Sequence, residues 1–295
     1  MKRFLPQLAL IGAMFLWASS FIALKVAFRA YDPMVVIFGR MFVASICLLA
    51  MGFRFRRSLN YQKGDYKLIL FMAFCEPCLY FLFEAQAIVY TTAAQAGMIT
   101  AILPILVMIT ASIVLHERTG LQGWIGAAVA VGGVCWLTLE SSPSENAPNP
   151  ILGNFLEFLA MVCATGYMVT LRYLTVRYSP FFLTAIQALI GCVFYFPLLF
   201  LPGTVLPTHF NLLSALAVFY LGAAITLGAY GLYNYGLKYV SASRSAVYVN
   251  LIPVISVVLA WLILGETFVR NQILAAAVIM FGVWLTQKSP AVQAN

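Results

Sequence analysis

Apolar runs of about twenty residues follow one another along the chain, separated by short polar breaks. That is the length an α-helix needs to cross a hydrocarbon core of ~30 Å. On this measure the sequence predicts spans at 7–28, 34–53, 67–89, 94–115 and 120–139. A second set follows at 153–174, 181–201, 212–237, 243–264 and 268–287. Between the sets lies the stretch SSPSENAPNP, a polar, proline-rich linker at 141–150. The pattern predicts an all-α polytopic membrane protein with ten transmembrane helices. It has two five-helix domains, 1–140 and 151–288. The first run follows Met1-Lys2-Arg3 as a secretory signal would. It is long enough to span and lacks a small-x-small cleavage site, so it reads as a retained helix.

Composition narrows the class. Of 295 residues 63% are hydrophobic and only 9% charged, too few to cover a soluble domain of this length. The net charge of +8 would suit a nucleic-acid partner. However, the cations lie in short loops between apolar runs, where topology is the usual cause. With the N-terminus inside, the cytoplasmic side receives Lys2, Arg3, Arg54, Arg56, Arg57, Lys63, Lys67, Arg118, Arg172, Arg177, Lys238, Arg244 and Lys288. Only Lys25, Arg29 and Arg270 fall outside, and Arg40 lies within a span. Both termini are therefore expected in the cytoplasm of a plasma-membrane protein. All six cysteines fall inside apolar runs, which argues against a disulfide framework. Cys75 and Cys78 form a CxxC without a second pair, and packing is the expected role.

The two sets of spans repeat. A shift of 149 residues superimposes Tyr90 on Tyr239, Pro104 on Pro253, Leu115 on Leu264, Glu117 on Glu266 and Gly133 on Gly282. A shift of 147 superimposes Pro33 on Pro180. Units with an odd number of spans must cross the membrane in opposite senses. The expectation is two inverted five-helix repeats around a central cavity, an architecture recurrent among transporters.

Certain motifs carry a family resemblance. They are Leu16-Trp17-Ala18-Ser19-Ser20-Phe21, Asp32-Pro33 followed by Arg40, and Tyr90-Thr91-Thr92-Ala93-Ala94 leading to Pro104 and His116-Glu117. Val240-Ser241-Ala242-Ser243 leading to Pro253 and Gly265-Glu266 is the counterpart in the second set. Over nearly the whole chain the sequence resembles the EamA group of the drug/metabolite transporter superfamily. The resemblance implies alternating access by a ten-helix bundle, with substrates such as amino acids, cofactor-like metabolites or toxic compounds. It also implies that Arg40 stands where an arginine is common in the family.

Ionisable residues inside a membrane are costly and are functional candidates by default. Glu76 lies about ten residues into the third span, near mid-depth at ~1.5 Å per residue. Pro77 follows and removes a backbone donor, so a carboxylate, a kink and a free carbonyl coincide. Glu76 is a candidate to carry a proton or to pair with a cationic substrate group, with structural packing as the alternative. Glu84 and Arg40 join it as proton-coupling or gating candidates, and a salt bridge of Glu84 with Lys25 or Arg40 is the simpler reading. Glu157 is a further carboxylate in the outer half. Glu117 and Glu266 read as markers of helix ends. By depth, the substrate-binding candidates are Trp17, Ser20, Glu76, Tyr80, Thr100, Tyr167, Thr226, Tyr230, Tyr248 and Asn250, with Thr165 at the same level. Aromatic rings with polar tips suit flat or cationic solutes. Gly126, Ala130, Gly132 and Gly133 give the fifth span a small-residue face, for internal packing or a dimer.

The expected function is secondary transport of small organic metabolites, amino acids or organic cations, with export the favoured direction and proton coupling the natural drive. A receptor or structural subunit is the alternative, and an intramembrane enzyme a weaker one. No G-x-x-x-x-G-K-[ST] or G-x-S-x-G motif occurs, and His116 and His209 stand apart without ligand sets. No cofactor, metal or nucleic-acid partner is expected. The expected partners are a small-molecule substrate and membrane lipid, for a monomer or a homodimer.

Overall fold

The computed structural model describes residues 4–51, 62–114, 118–175, 177–239, 248–288 and 291–292. The expected markers His116 and Glu117, and the motif at 240–243, lie outside them. Helix α1 (Leu5–Phe28) opens with Pro6 in its first turn, where the missing N–H costs nothing. Asp32 caps α2 (Pro33–Met51), its Oδ1 accepting the Met34 N–H at 2.8 Å. Helix α3 (Asp65–Ala73) continues through a break at Phe74–Leu79 into α4 (Tyr80–Tyr90). Thr92 caps α5 (Ala93–Ile99), which tightens over Thr100–Ile102 and runs on as α6 (Leu103–Val114). Helix α7 (Leu121–Leu139) ends at the linker, and Asn149 caps α8 (Pro150–Leu174).

Ser179 caps α9 (Pro180–Leu198). Helix α10 (Leu212–Tyr220) passes through wide turns at Leu221–Ala229 into α11 (Tyr230–Tyr239). Helix α12 (Leu251–Leu259) continues to Leu264, and α13 (Arg270–Lys288) is the last. The pairs Arg118 with Val292 and Thr119 with Ala291 form a small antiparallel ribbon.

Among the described residues eight helical stretches are long and apolar enough to cross a membrane, and Leu251–Leu264 is a shorter apolar one. Residues 243–247 of the expected ninth span lie outside the described residues. Helix α13 has the length for a tenth span, but Arg270-Asn271-Gln272 and Gln287-Lys288 dilute its apolar stretch.

Large apolar side chains such as Phe15, Phe42, Leu49, Phe196 and Trp261 point outward, whereas most of the ionisable groups within the spans point inward. This inverts the arrangement of a water-soluble protein.

The broadest helix contact joins α7 and α13. A Cβ on Gly126 would lie 2.7 Å from the Gly282 carbonyl oxygen, and one on Gly282 2.4 Å from the Ala130 nitrogen. One on Gly133 would lie 2.9 Å from the Ile279 nitrogen. The small-residue face of α7 is thus an internal contact, with Gly132 pointing into open space.

Two tyrosines tie loops together at opposite ends of the bundle. The Tyr31 hydroxyl accepts the Asn211 N–H at 3.0 Å and donates to the Asn211 carbonyl at 3.1 Å. The Tyr178 hydroxyl donates to Asp65 Oδ2 at 2.7 Å, with Arg177 3.1 Å from Asp65 Oδ1.

Candidate functional site

The break between α3 and α4 builds the site. Glu76 leaves helical geometry (φ −145°, ψ 118°), and its bond to Pro77 is cis. Carbonyls that a continuous helix would satisfy internally need other donors. Helix α9 supplies them. Gln187 Nε2 donates to the Glu76 carbonyl at 2.6 Å, and the Tyr195 hydroxyl reaches the carbonyls of Pro77 (3.2 Å) and Cys78 (2.6 Å). Gly191, between them on α9, lets the helix approach Pro77, where a Cβ would lie 2.7 Å from the proline ring. Cys75 packs against Gly166 of α8.

The Glu76 carboxylate accepts a hydrogen bond from the Tyr230 hydroxyl, at the start of α11. Both interrupted helices therefore meet at this point. A narrow cavity of about 20 Å³ lies there, lined by Met41, Glu76, Phe81, Gln187, Thr226 and Tyr230 among others. That is room for about one water molecule. Trp17 packs on Tyr230 and Tyr233, with ring centroids 5.4 and 5.1 Å away. Tyr167 of α8 is buried beside Tyr230 and Glu76.

Arg40 extends the site toward the linker side. Its Nε lies 3.4 Å from Thr226 Oγ1, and its guanidinium sits 3.9 Å from the centre of the Phe81 ring. Its Nη1 lies 3.6 Å from Glu84 Oε2, an ion pair in which both side chains are almost fully buried. Tyr80 donates to the other Glu84 oxygen at 3.0 Å. Tyr80 and Glu84, four residues apart in α4, lie on one face of that helix. Lys25 is engaged elsewhere, donating to the Asn146 carbonyl at 2.5 Å.

Of the residues singled out from the sequence, Glu76, Thr226 and Tyr230 line the cavity. Trp17, Tyr80, Tyr167, Arg40 and Glu84 surround it. The rest stand apart. The Ser20 hydroxyl donates to the Trp17 carbonyl, Thr100 to Gly97, and Thr165 to Met161, each within its own helix. Tyr248 is half-buried against the central core, and Asn250 begins α12 as its N-cap residue.

Thr184, Gln187 and Tyr195 were not among the residues singled out for the cavity. The signal was present: they are the hydrogen-bonding side chains of one stripe of an otherwise apolar helix. Glu266 does more than follow a helix end. Its carboxylate accepts the N–H groups of Ala93 (3.0 Å) and Ala94 (2.8 Å), capping α5.

Comparisons with known proteins agree with this architecture. The model of the EamA-like transporter family matches twice, over residues 5–139 and 151–287. An uncharacterised transporter of Archaeoglobus fulgidus is 26% identical, over 95% of this chain and 96% of its own. A probable terminal-alkyne amino-acid exporter of Streptantibioticus cattleyicolor is 24% identical, over 95% of this chain and 92% of its own. A crystal structure 19% identical to this chain covers 95% of each chain with a TM-score of 0.63, a likeness of fold.

Proposed function

Since the chain belongs to the EamA-like transporter family and is a multi-pass membrane transporter, we propose that it exports small metabolites bearing a cationic group, amino acids foremost, across the plasma membrane in exchange for protons. The observation that carries this reading is the Glu76 carboxylate, buried in a cavity where two interrupted helices meet. Broken helices that line a cavity are how transporters present polar groups at mid-depth. A single carboxylate there takes either a proton or the substrate's ammonium, and that competition makes an exchanger. Arg40, sharing Phe81 and Thr226 with the cavity, suits the substrate carboxylate by bidentate pairing. A 20 Å³ space does not admit an amino acid, so the site widens to bind one, by movement of one half against the other.

The alternating-access frame is ten spans in two inverted repeats, both termini in the cytoplasm and the linker outside. Reciprocal contacts support it. At the 149-residue shift, Gly126 corresponds to Ala275, Ala130 to Ile279 and Gly133 to Gly282. Gly282 meets Gly126 and Ala130, while Gly133 meets Ala275 and Ile279, the pattern of a two-fold axis. Tyr31 and Tyr178 correspond at the 147-residue shift, and each ties its own unit to the other. The breaks beginning at Phe74 and Leu221 share the same shift. The name of the amino-acid exporter relative leans the substrate class toward amino acids.

The test is efflux of labelled aromatic amino acids and organic cations from liposomes holding the purified protein, with and without a pH gradient, beside Glu76→Gln. Flux that follows the gradient and vanishes in the variant is expected. Flux indifferent to both would retain transport and make Glu76 a packing residue.

A further inference from the structure

Helices α4 and α8 pack antiparallel, and their contacts fix the register. A Cβ on Gly153 would lie 2.7 Å from the Thr91 nitrogen and 2.9 Å from the Ala87 oxygen, and one on Gly166 2.9 Å from Cys75 Sγ. Interpolating between these contacts sets Glu157 level with Glu84. Glu157 is fully buried. Among the described residues neither of its carboxylate oxygens has a hydrogen-bond partner, and Glu84 Oε2 lacks one too. Such a group is rare in a folded protein and costly when charged.

The surroundings define what would satisfy it. The titratable and charged groups facing the pair are Arg40 from α2, Tyr80 from α4, Tyr195 from α9 and, farther in, Glu76. Arg40 is the sole cation among them, and it pairs with Glu84. One guanidinium cannot neutralise two ionised carboxylates, so one positive charge is missing. The pair has few further oxygens to replace the hydration shell of a metal cation. A proton needs only the two carboxylates.

A route to the linker side also exists. Asn154, one turn before Glu157, donates to Gln95 Oε1 (3.0 Å) and Thr138 Oγ1 (3.1 Å) and accepts from the Thr91 hydroxyl (2.7 Å). Ser141, at the start of the linker, donates to the same Gln95 oxygen at 2.8 Å. A buried string of hydroxyls and amides thus leads from the linker to one turn above Glu157.

The geometry points to Glu157 and Glu84 as a second proton-binding site, separate from Glu76 and reached from the linker side, where one exchangeable proton is shared between the two carboxyl groups. Its part in coupling rests on the transporter reading above. The proton reaches a Glu157 oxygen from the linker side, where the Ser141, Gln95 and Asn154 side chains form the nearest polar region. When it passes to Glu84, that carboxyl is neutral and Arg40 is released to meet a substrate carboxylate, while Glu157 is free to accept the next proton.

Infrared spectroscopy of the full chain in lipid vesicles reads the site directly. At neutral pH the wild type should show a protonated-carboxyl band that shifts in D₂O and is missing from Glu157→Gln. Glu157→Asp, which keeps the acid, should move the band and not remove it, which guards against a variant that fails to fold. A band unchanged in Glu157→Gln, or one that does not shift in D₂O, overturns the proposal. For coupling, labelled phenylalanine is followed in the same vesicles. Glu157→Gln should lose accumulation driven by a pH gradient, and Glu157→Asp should restore it. Gradient-driven accumulation unchanged in Glu157→Gln would remove the pair from coupling. Wild-type vesicles that exchange no substrate of the panel would defeat the transporter reading, and the infrared result would still decide the site.

Discussion

Replacing Arg40 by glutamine removes the cation that faces Glu84 at 3.6 Å and leaves a carboxyl only 2% exposed. An isolated charge in such surroundings is not tolerated, so the folded variant keeps Glu84 neutral by taking up a proton. For a glutamic acid that titrates near 4.3 in water, this costs about 3.7 kcal/mol at pH 7, at ~1.36 kcal/mol per pH unit. At pH 5 the same uptake costs only about 1 kcal/mol. The folded variant binds this proton and the unfolded chain does not, so the loss of stability grows as pH rises above ~4.3. In a chain of 295 residues, 3.7 kcal/mol amounts to roughly 6 °C of melting temperature, at ~2.1 cal/mol/K per residue. Loss of the stacking on Phe81 adds about 1 kcal/mol at either pH. The assay is thermal unfolding of wild type, Arg40→Gln and Arg40→Gln/Glu84→Gln at pH 5 and pH 7. The double variant removes the acid that Arg40 faced and should recover most of the pH 7 loss. A single variant equally destabilised at both pH values, or a double variant that recovers nothing, would refute the ion-pair reasoning and leave Arg40 as a packing residue.

Gly282→Leu should destabilise the fold by at least the ~1–3 kcal/mol of an overpacked core, because even its Cβ would lie 2.4 Å from the Ala130 nitrogen. Gly132→Leu, with nothing within 4 Å, should melt within a degree or two of wild type. Similar behaviour of the two in thermal unfolding would contradict the α7–α13 crossing. Tyr195→Phe leaves the Cys78 carbonyl without its 2.6 Å donor and should cost about 1–3 kcal/mol, visible as a lower melting temperature with aromatic packing kept. Glu266→Gln keeps the shape of the α5 cap but not its charge, and should lose about 0.5–1 kcal/mol by the same measurement. Tyr230→Phe should weaken binding of labelled phenylalanine without lowering the melting temperature by more than a few degrees.

The first eight spans were legible because lipid selects on composition, and an apolar run such as that starting at Ala93 needs no partner to be recognised. Glu76 was legible because a carboxylate and a proline at mid-depth are both expensive, and nothing in helix propensity explains them. Which way a helix faces is another matter. In α9 the one polar stripe, Thr184, Gln187 and Tyr195, marks an inward face, but what it meets becomes visible only once the break at Glu76 offers carbonyls to Gln187 and Tyr195. Sorting hydroxyls by depth selected Ser20 and Thr100 along with Tyr230. A serine or threonine in a helix can turn back to its own carbonyl, and these two do. The level of Glu157 against Glu84 depends on the register of the third span against α8, which two glycines about half of α8 apart, Gly153 and Gly166, determine.

The reciprocal crossing of α7 and α13 has a historical corollary. Two separate copies of one five-helix protein, inserted in opposite senses, would form the same contact across their shared axis. Such a pair is bound to treat equivalent positions alike, with two arginines at the place of Arg40 or none. Here the equivalent of Arg40 is Gln187, which holds the Glu76 carbonyl and carries no charge. An arginine on one side of the axis alone is out of reach for identical partners. A chain that matches the family twice, over 5–139 and 151–287, is free to carry a charge at one of two equivalent positions and a neutral amide at the other.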